Sequence, residues 1–504
     1  MQGLKQFEPR LFYQISLDDL VPEQHLVRRL AEVLDFSWVR LQTAQLYSYT
    51  GRPSIDPVVV AKLLLLGYLY NIDSERQLMR EVQVNLAYRW YLGYDLDEEI
   101  PDHSILSKAR RRFGLEFFER LFGYILGCCQ QAGLVRGENV LMDSTIVQAN
   151  ASLDSLTTLR YKPAEYWEQL ERQAEPESAL CGLEPPIVDC AASLGQKRSR
   201  EQRTCDQKYS TTDPDASLYH RRGQETRLAY KTHFLADEHK GVVTAVASSS
   251  AAVDDTTMVP ELIEQHQRRC GAPRRAVADH LYGSQDCLGY LQDKGIETVI
   301  GERKGGNAHG GLAKSEFQYD SQQDVYRCPA GQILRRRRTQ KKDSKAFYSC
   351  DRGTCRDCKF RGQCVSSTDP DAVRQVTRFD SWYIEKAQAA CASSQGKRLL
   401  KNRQTCMEGL FGQAKSQHGL DRARLRGLVK MQIQGLLTAM VLNVKKLLQA
   451  VSGRKAAVCQ IGYCAMIDIL DFCYSIYLVC IGEAFYSLGF ARDRLGRKRD
   501  NVFG

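Results

Sequence analysis

The order of segments from Asn139 to Ile300 constrains the fold of this chain more than any other feature. NVLMDSTIVQANAS alternates apolar with polar residues and is rich in Val, Ile and Thr, as a half-buried strand should be. LAYKTHFLAD and GVVTAVASSS repeat the pattern and predict a hairpin across Glu238 to Gly241. A helix follows, capped near Asp254 or Asp255 and running through MVPELIEQHQRR. Next come the strand AVAD, the helix SQDCLGYLQDKG with Gly295 as its stop, and the strand TVIG.

Three strands, a helix, a strand, a helix and a strand is the element order of an RNase H-like core. The expected class is therefore α/β, with a mixed catalytic sheet. Ahead of it, from Asp18 to about Ala132, apolar residues recur at helical spacing, which predicts an all-helical N-terminal domain over residues 1–137. Breaks fall at Gly51-Arg52-Pro53 and Ile100-Pro101. The run VVVAKLLLLGYLY is too short for a membrane span and is interrupted by Lys62, so it reads as a buried core helix. PDHSILSKARRRFG, with Asp102 or Ser104 as N-cap, predicts a short helix carrying Lys108, Arg110, Arg111 and Arg112. That helix suits DNA backbone, or is simply a solvated basic face.

Residues 138–302 form the first part of the expected core, with a polar, Pro- and Glu-rich stretch from Lys162 to Arg203 inside it. Gly-rich, basic and Cys-rich sequence over 303–397 reads as an insertion. Helical periodicity resumes over 398–450 and completes the core, and residues 451–504 are an apolar, Cys-rich tail. Asp468, Asp471 and Glu483 break up that tail, so it reads as an oligomerising or packing helix, or as read-through sequence, and not as a membrane span.

Three acids stand where acids are costly. Asp143 interrupts the strand VLMDSTIV, Asp279 ends the strand AVAD, and Glu408 lies beside Met407, Leu410 and Phe411 on a helix. A buried carboxylate needs a partner, hydrogen bonds or a metal, although any one of the three alone could be a cap. In the expected sheet the first and fourth strands are neighbours, so the carboxylates converge, with the third delivered by the later helix. Hard carboxylate oxygens suit Mg²⁺ or Mn²⁺, and two such ions about 4 Å apart clamp the oxygens of a phosphoryl transfer. Lys415, seven residues after Glu408, returns to nearly the same helix face and is a candidate phosphate ligand. Arg422, Arg424 and Arg426 follow it as further candidates.

MDSTIVQANAS, ADHLYGSQDCLGYL and MEGLFGQAKSQHGLDRARLRGL resemble the three catalytic blocks of bacterial DDE insertion-sequence transposases, in the branch numbered eleven-eighty-two, which is related to insertion-sequence families four and five. LYSYTGRPSIDPVVVAKLLLLGYLY, LAYRWYLGYDLDEEIPDHSILSKARRRFG and YSTTDPDASLYHRRG resemble further blocks of that branch, and the match runs from about Phe7 to Gln449. The resemblance implies a triad of Asp143, Asp279 and Glu408 in an RNase H-like fold interrupted after its fifth strand. It also implies binding of element ends, metal-dependent cleavage and strand transfer to target DNA. Related families carry a Tyr and an Arg at fixed spacing before the Glu; here Lys401 and Gln404 stand there, with Arg403 as a substitute one position earlier. Leu281 is bulkier than the small residue expected after ADH. Joining two DNA ends implies a homodimer or larger synaptic assembly. The alternatives are a metal nuclease without strand transfer, and a decayed transposase that only binds DNA.

Within the insertion, Cys328, Cys350, Cys355, Cys358 and Cys364 concentrate five thiols with one C-x2-C pair. A structural zinc takes four, and the expected set is Cys350, Cys355, Cys358 and Cys364; unbound reduced thiols and a redox pair are the alternatives. QILRRRRTQKKDSKAFYS reads as two strands and a basic turn, a finger whose Arg335, Arg336, Arg337 and Arg338 track phosphates or only guard an exposed edge.

The 504 residues predict about three domains. Hydrophobic residues at 43% and charged residues at 26% exclude disorder and collagen-like folds, and no solenoid repeat is present. The net charge of +10 admits a polyanionic partner. MQGLKQFEPRLFYQ lacks a signal peptide's apolar stretch, and 18 cysteines diluted in a long chain read as reduced thiols. A reducing bacterial cytoplasm is expected, with nucleoid association on DNA and no membrane partner.

Overall fold

The computed structural model describes residues 14–48, 50, 54–158, 208–221, 223, 225–301, 312, 314–320, 322–340, 345–365, 367–379 and 381–451. They form two compact units, one of residues 14–136, 413–419 and 436–451 and the other of 137–412 and 420–435. The expected break at Gly51-Arg52-Pro53, the stretch from Lys162 to Arg203 and the tail after Val451 lie outside the described residues.

The first unit opens with α1 (Leu17–Leu20), α2 (Leu26–Val33), α3 (Trp38–Thr43), α4 (Pro57–Leu69), α5 (Glu75–Val84), α6 (Leu86–Leu92) and α7 (Ser104–Gln131). Asp56 caps α4 by accepting from Val58 N at 2.9 Å, and Pro57 occupies the first turn, where its missing N–H costs nothing. The helix is apolar nearly all round because it is buried nearly all round. Lys62, its one charge, donates to the Tyr91 carbonyl at 2.8 Å and lies over that ring. No described helix is long and apolar enough to cross a membrane.

The basic segment at the start of α7 is the short helix expected: Gly114, at φ 66° and ψ −179°, is non-helical, so α7 is two helices meeting at a kink there. Helical burial resumes at Phe117, Phe118, Leu121, Phe122 and Ile125, which carries the chain to Gln131. Asp102 accepts from Ser104 N at 2.8 Å at its start.

The second unit contains β1 (Asn139–Gln148), β2 (Leu156–Thr158), β3 (Lys208–Ser210), β4 (Ser217–Tyr219), β5 (Arg227–Asp237), β6 (Val243–Ser250), α8 (Val259–Cys270), β7 (Arg275–Ala278), α9 (Gln285–Asp293) and β8 (Glu297–Ile300). β2 and β3 pair by themselves. The main sheet runs β4-β5-β1-β7-β8, with β6 also on β5. β1 is antiparallel to β5 and parallel to β7, and β8 is parallel to β7. Four strands linked by antiparallel pairs thus pass into two parallel ones reached through helical crossovers, since parallel strands cannot be joined by a tight turn.

One face of the sheet packs Val140, Met142, Leu235 and Ala276 against Leu262 and Ile263 of α8 and Leu288 and Leu291 of α9. Because side chains alternate along a strand, Asp143 points to the opposite face, beside its register partner Phe234.

The Cys-rich segment is a sheet of its own. β9 (Gln318–Asp320), β10 (Val325–Arg327), β11 (Ile333–Gln340), β12 (Lys345–Ser349) and β13 (Gln375–Phe379) form an antiparallel sheet in the order β13-β12-β11-β10-β9, and α10 (Arg361–Cys364) follows β12. The two strands expected from QILRRRRTQKKDSKAFYS pair within it as β11 and β12. Its core is Phe317, Tyr326, Leu334, Ala346, Tyr348, Cys350 and Val376. The expected basic turn at Lys341 and Lys342 lies outside the described residues.

Core packing resumes before residue 398. In α11 (Trp382–Ala392), Ile384 and Ala387 join the main cluster, and Gln292 Nε2 donates to the Tyr383 carbonyl at 2.8 Å. α12 (Ser394–His418) and α13 (Leu428–Val451) follow, and each is shared between the two units. In the first unit His418 Nδ1 lies 2.8 Å from the Tyr68 carbonyl and Arg29 donates to the Leu448 carbonyl at 2.8 Å. In the second, a Cβ on Gly435 would stand 3.1 Å from Val246 Cγ1, so α13 begins in close approach to the sheet.

Candidate active site

Asp143 sits in the central strand, where pairing with Phe234 of β5 fixes its backbone just beyond the residues paired with β7. Asp279 directly follows the neighbouring parallel strand β7, and its side chain turns the chain by accepting from Leu281 N at 2.9 Å. Both project from the same region of the sheet. The fully buried Tyr282 hydroxyl is pushed well above its ordinary range by burial and by the carboxylates of Asp255, Asp143 and Asp279. Tyr282 is thus within electrostatic reach of all three acids.

Asp143 accepts from Ser144 N at 2.9 Å and from Arg403 Nη1 at 2.9 Å. The side chains of Arg403 and Asp143 are only 14% and 24% exposed. Burial raises the Asp143 carboxyl from 3.8 to about 6, Arg403 and the Ser144 amide pull it down, and Asp279 and Asp255 push it further up. Burial wins because one guanidinium does not replace the lost hydration of a carboxylate.

Asp255 is the acid that sequence reasoning missed. It begins the turn before α8, is buried, and pairs with Lys231 Nζ at 2.8 Å while accepting from Ser144 Oγ at 3.0 Å. Ser144 thus joins the two acids, with its amide on Asp143 and its hydroxyl on Asp255. The visible signal was Lys231, a charge inside the otherwise apolar strand LAYKTHFLAD.

α12 lies on the Asp143 face of the sheet. Phe411 stacks on Phe234 with centroids 5.0 Å apart and planes at 16°. Leu399, Met407 and Leu410 are buried along the same helix. Arg403 turns into the site from this helix, whereas Glu408 is exposed and accepts from Gln404 Nε2 at 3.1 Å. The structure therefore brings together Asp143, Asp279 and Arg403, with Asp255 added, and holds Glu408 at the rim of the helix. Among the described residues no three His, Cys, Asp or Glu side chains converge closely enough to share one ion as they stand. The donor chemistry of Asp143 and Asp279 fits a hard divalent cation: all donors are oxygen, and Arg403 offsets only one of the two carboxylates.

The candidate DNA contacts are dispersed. Arg422 bridges in parallel to Gln148 at the end of β1, and Arg426 Nε donates to the Asn150 carbonyl at 3.0 Å, so this loop flanks the strand that carries Asp143. The Arg424 amide donates to Gln434 Oε1 at 2.8 Å. Lys415 is half-buried two turns beyond Glu408. Lys108 and Arg111 are exposed on α7, and Arg112 lies 4.6 Å over the Tyr47 ring. On β11, Arg335 is exposed, Arg336 approaches Asp324 at 3.5 Å, Arg337 pairs with Asp351, and Arg338 covers Phe347 at 4.6 Å.

Residues 15–112 match the family model described as Transposase domain (DUF772), and residues 327–448 match the one described as Transposase DDE domain. Two stretches of the chain thus match transposase domain models, the second of the DDE type. The DDE-domain match includes Glu408, Arg403 and the Cys-rich sheet from β11 onward, while Asp143 and Asp279 lie outside both matches. No curated protein matches the chain. A solved piggyBac transposase synaptic complex with hairpin DNA aligns over 86% of this chain and 74% of its own, at 10% identity and a TM-score of 0.32.

Proposed function

We propose that this protein is the transposase of an insertion sequence, of the branch numbered eleven-eighty-two, which binds its element's ends, cuts them and joins the freed 3′ hydroxyl to target DNA. The observation that carries this reading is the placement of Asp143 within β1 and of Asp279 directly after its parallel neighbour β7, in a chain whose residues 327–448 match a DDE domain. The strand order supports an RNase H-like core made of residues 138–302 and 398–450, and 303–397 form its insertion. The helical residues 1–137 bind DNA ends in this reading, and the working form is a homodimer or larger synaptic assembly.

Asp143 and Asp279 would hold Mg²⁺ or Mn²⁺, with Glu408 completing the set from α12. The ion supplies charge neutralisation and alignment at the scissile phosphate. The chain's own part is to hold the acids still: pairing fixes Asp143, Ser144 and Arg403 orient its two oxygens, and the Leu281 amide orients Asp279. Arg422 and Arg426, flanking the end of β1, suit a backbone phosphate. No covalent protein nucleophile is needed.

A supercoiled donor plasmid bearing the element ends, mixed with target DNA, tests this. Asp279→Asn and Glu408→Gln should each retain end binding and lose cleavage by at least about a hundredfold. Undiminished cleavage by Asp279→Asn removes that residue from the mechanism. Cleavage by the wild type without joined donor and target molecules reduces the protein to a nuclease.

A further inference from the structure

The Cys-rich sheet holds a second site, independent of the acids. Leu312, Phe317 and Leu334 on one side and the loop around Arg361 on the other enclose a cavity of about 20 Å³ onto which Cys328, Cys350, Cys355, Cys358 and Cys364 all open. All five are free thiols. A cavity of this size holds one small particle and no more.

The five are not equivalent. Cys350 is buried in the apolar cluster of the sheet, at the end of β12, and burial pushes its thiol up to about 12. It behaves as a small hydrophobe there. Cys328 opens a tight turn, closed by Gly331 N to the Cys328 carbonyl at 2.8 Å and by Cys328 N to the Gln332 carbonyl at 3.0 Å. That turn aims Gln332 N at Cys328 Sγ, 3.3 Å away. Cys355 and Cys358 share a second turn, with Cys358 N on the Cys355 carbonyl at 3.4 Å, and Arg361 staples it by donating to the Cys355 carbonyl at 3.1 Å. The Cys364 thiol, raised by burial, is acted on by Arg374 and by the thiols of Cys355, Cys328 and Cys358.

We infer that Cys328, Cys355, Cys358 and Cys364 form a structural zinc site, with Cys350 as the spare thiol. This set replaces Cys350 by Cys328 relative to the sequence expectation, because two facing turns and a short helix present four thiols across one cavity while Cys350 serves the core. Soft thiolates in fourfold array select zinc. The thiols line one cavity without meeting at one point among the described residues, so zinc binding would draw them together. Arg361 and Arg374 on the cavity wall offset the negative charge that four thiolates around one zinc would carry. The site would tie the turn before β11 to the loop after β12, fixing the strand that carries Arg335 to Arg338.

The test is metal content of the full chain, purified under reducing conditions with zinc supplied. One zinc per chain is expected, released by a thiol-modifying mercurial. Cys350→Ser should keep one zinc, and Cys328→Ser and Cys364→Ser should each lose it. Because those variants could misfold, the wild type is also loaded with Co²⁺, where intense visible bands of a tetrahedral tetrathiolate centre are expected. A metal-free wild type that forms a disulfide among these residues overturns the proposal. So does loss of zinc in Cys350→Ser with retention in Cys328→Ser, or a Co²⁺ spectrum of octahedral type.

Discussion

Arg403 donates through Nη1 to Oδ2 of Asp143 over 2.9 Å, tying α12 to the central strand of the sheet. Without that guanidinium, Asp143 would keep the cost of burial and lose its nearest counter-charge. Arg403→Ala should lower the unfolding free energy at pH 7 by about 1–3 kcal/mol, less than a fully buried pair because both groups retain some exposure. Arg403→Lys should recover part of it, since an ammonium restores the charge but not the planar donor geometry. Urea unfolding measures both, and an unchanged midpoint in Arg403→Ala would show that the pair contributes nothing.

The raised carboxyl of Asp143 predicts a pH dependence with a definite sign. Its value moves from 3.8 to about 6 in the folded chain. Between those values the folded state holds a proton that the unfolded state has released. The favourable contribution is therefore complete below pH 3.8 and lost as pH rises through 6. Asp143→Asn removes this dependence, so relative to wild type it should gain up to about 3 kcal/mol between pH 3.5 and pH 8 in chelator-containing buffer. A difference that does not change with pH would place the ordinary carboxylate value at this residue.

The strand and helix order of the core was legible because the sheet is half-buried, so each strand carried its period and each helix its cap. Asp143 and Asp279 were legible for the same reason: a carboxylate in an apolar strand is anomalous whatever its partner. Asp255 was hidden because Asp254 beside it makes an ordinary turn cap, accepting from Thr256 N at 3.1 Å, and two adjacent acids read as one cap. The end of the basic helix was legible at Gly114, which adopts a non-helical φ of 66° and ψ of −179° there, and a second helix sets off directly after it. Cys328 was passed over because spacing along the chain ranks the C-x2-C pair first, whereas the turn that aims its sulfur appears only once β10 and β11 pair.

The stack of Phe411 on Phe234 is what seats α12 over the site. Phe234 is the register partner of Asp143, so a shift of that ring moves the helix relative to the acid. Phe411→Ala should cost about 3 kcal/mol of stability, from lost burial and ring contact together. It should also reduce cleavage at temperatures where the chain is still folded, because Arg403 and Glu408 ride on the same helix. Phe411→Leu should recover most of the stability and less of the cleavage. Equal recovery of both would make the ring mere filling.

Lys231 and Asp255 form the charged floor beneath Asp143, 2.8 Å apart and with side chains 14% and 10% exposed. Removing either partner strands the other in a place with little water, so Asp255→Ala and Lys231→Met should each destabilise by about 3 kcal/mol. Replacing both, as Lys231→Met with Asp255→Leu, removes both desolvation costs and should return about 2 kcal/mol or more of the sum, a coupling that a double-mutant cycle reads directly. Cleavage should not return with it. Ser144 donates its hydroxyl to Asp255 and its amide to Asp143, so the double variant leaves that serine free to turn and Asp143 less firmly held. Stability restored with cleavage still reduced by about tenfold or more is the expected result. Additive single effects, or cleavage recovered in step with stability, would reduce the pair to a structural contact with no bearing on the acid above it.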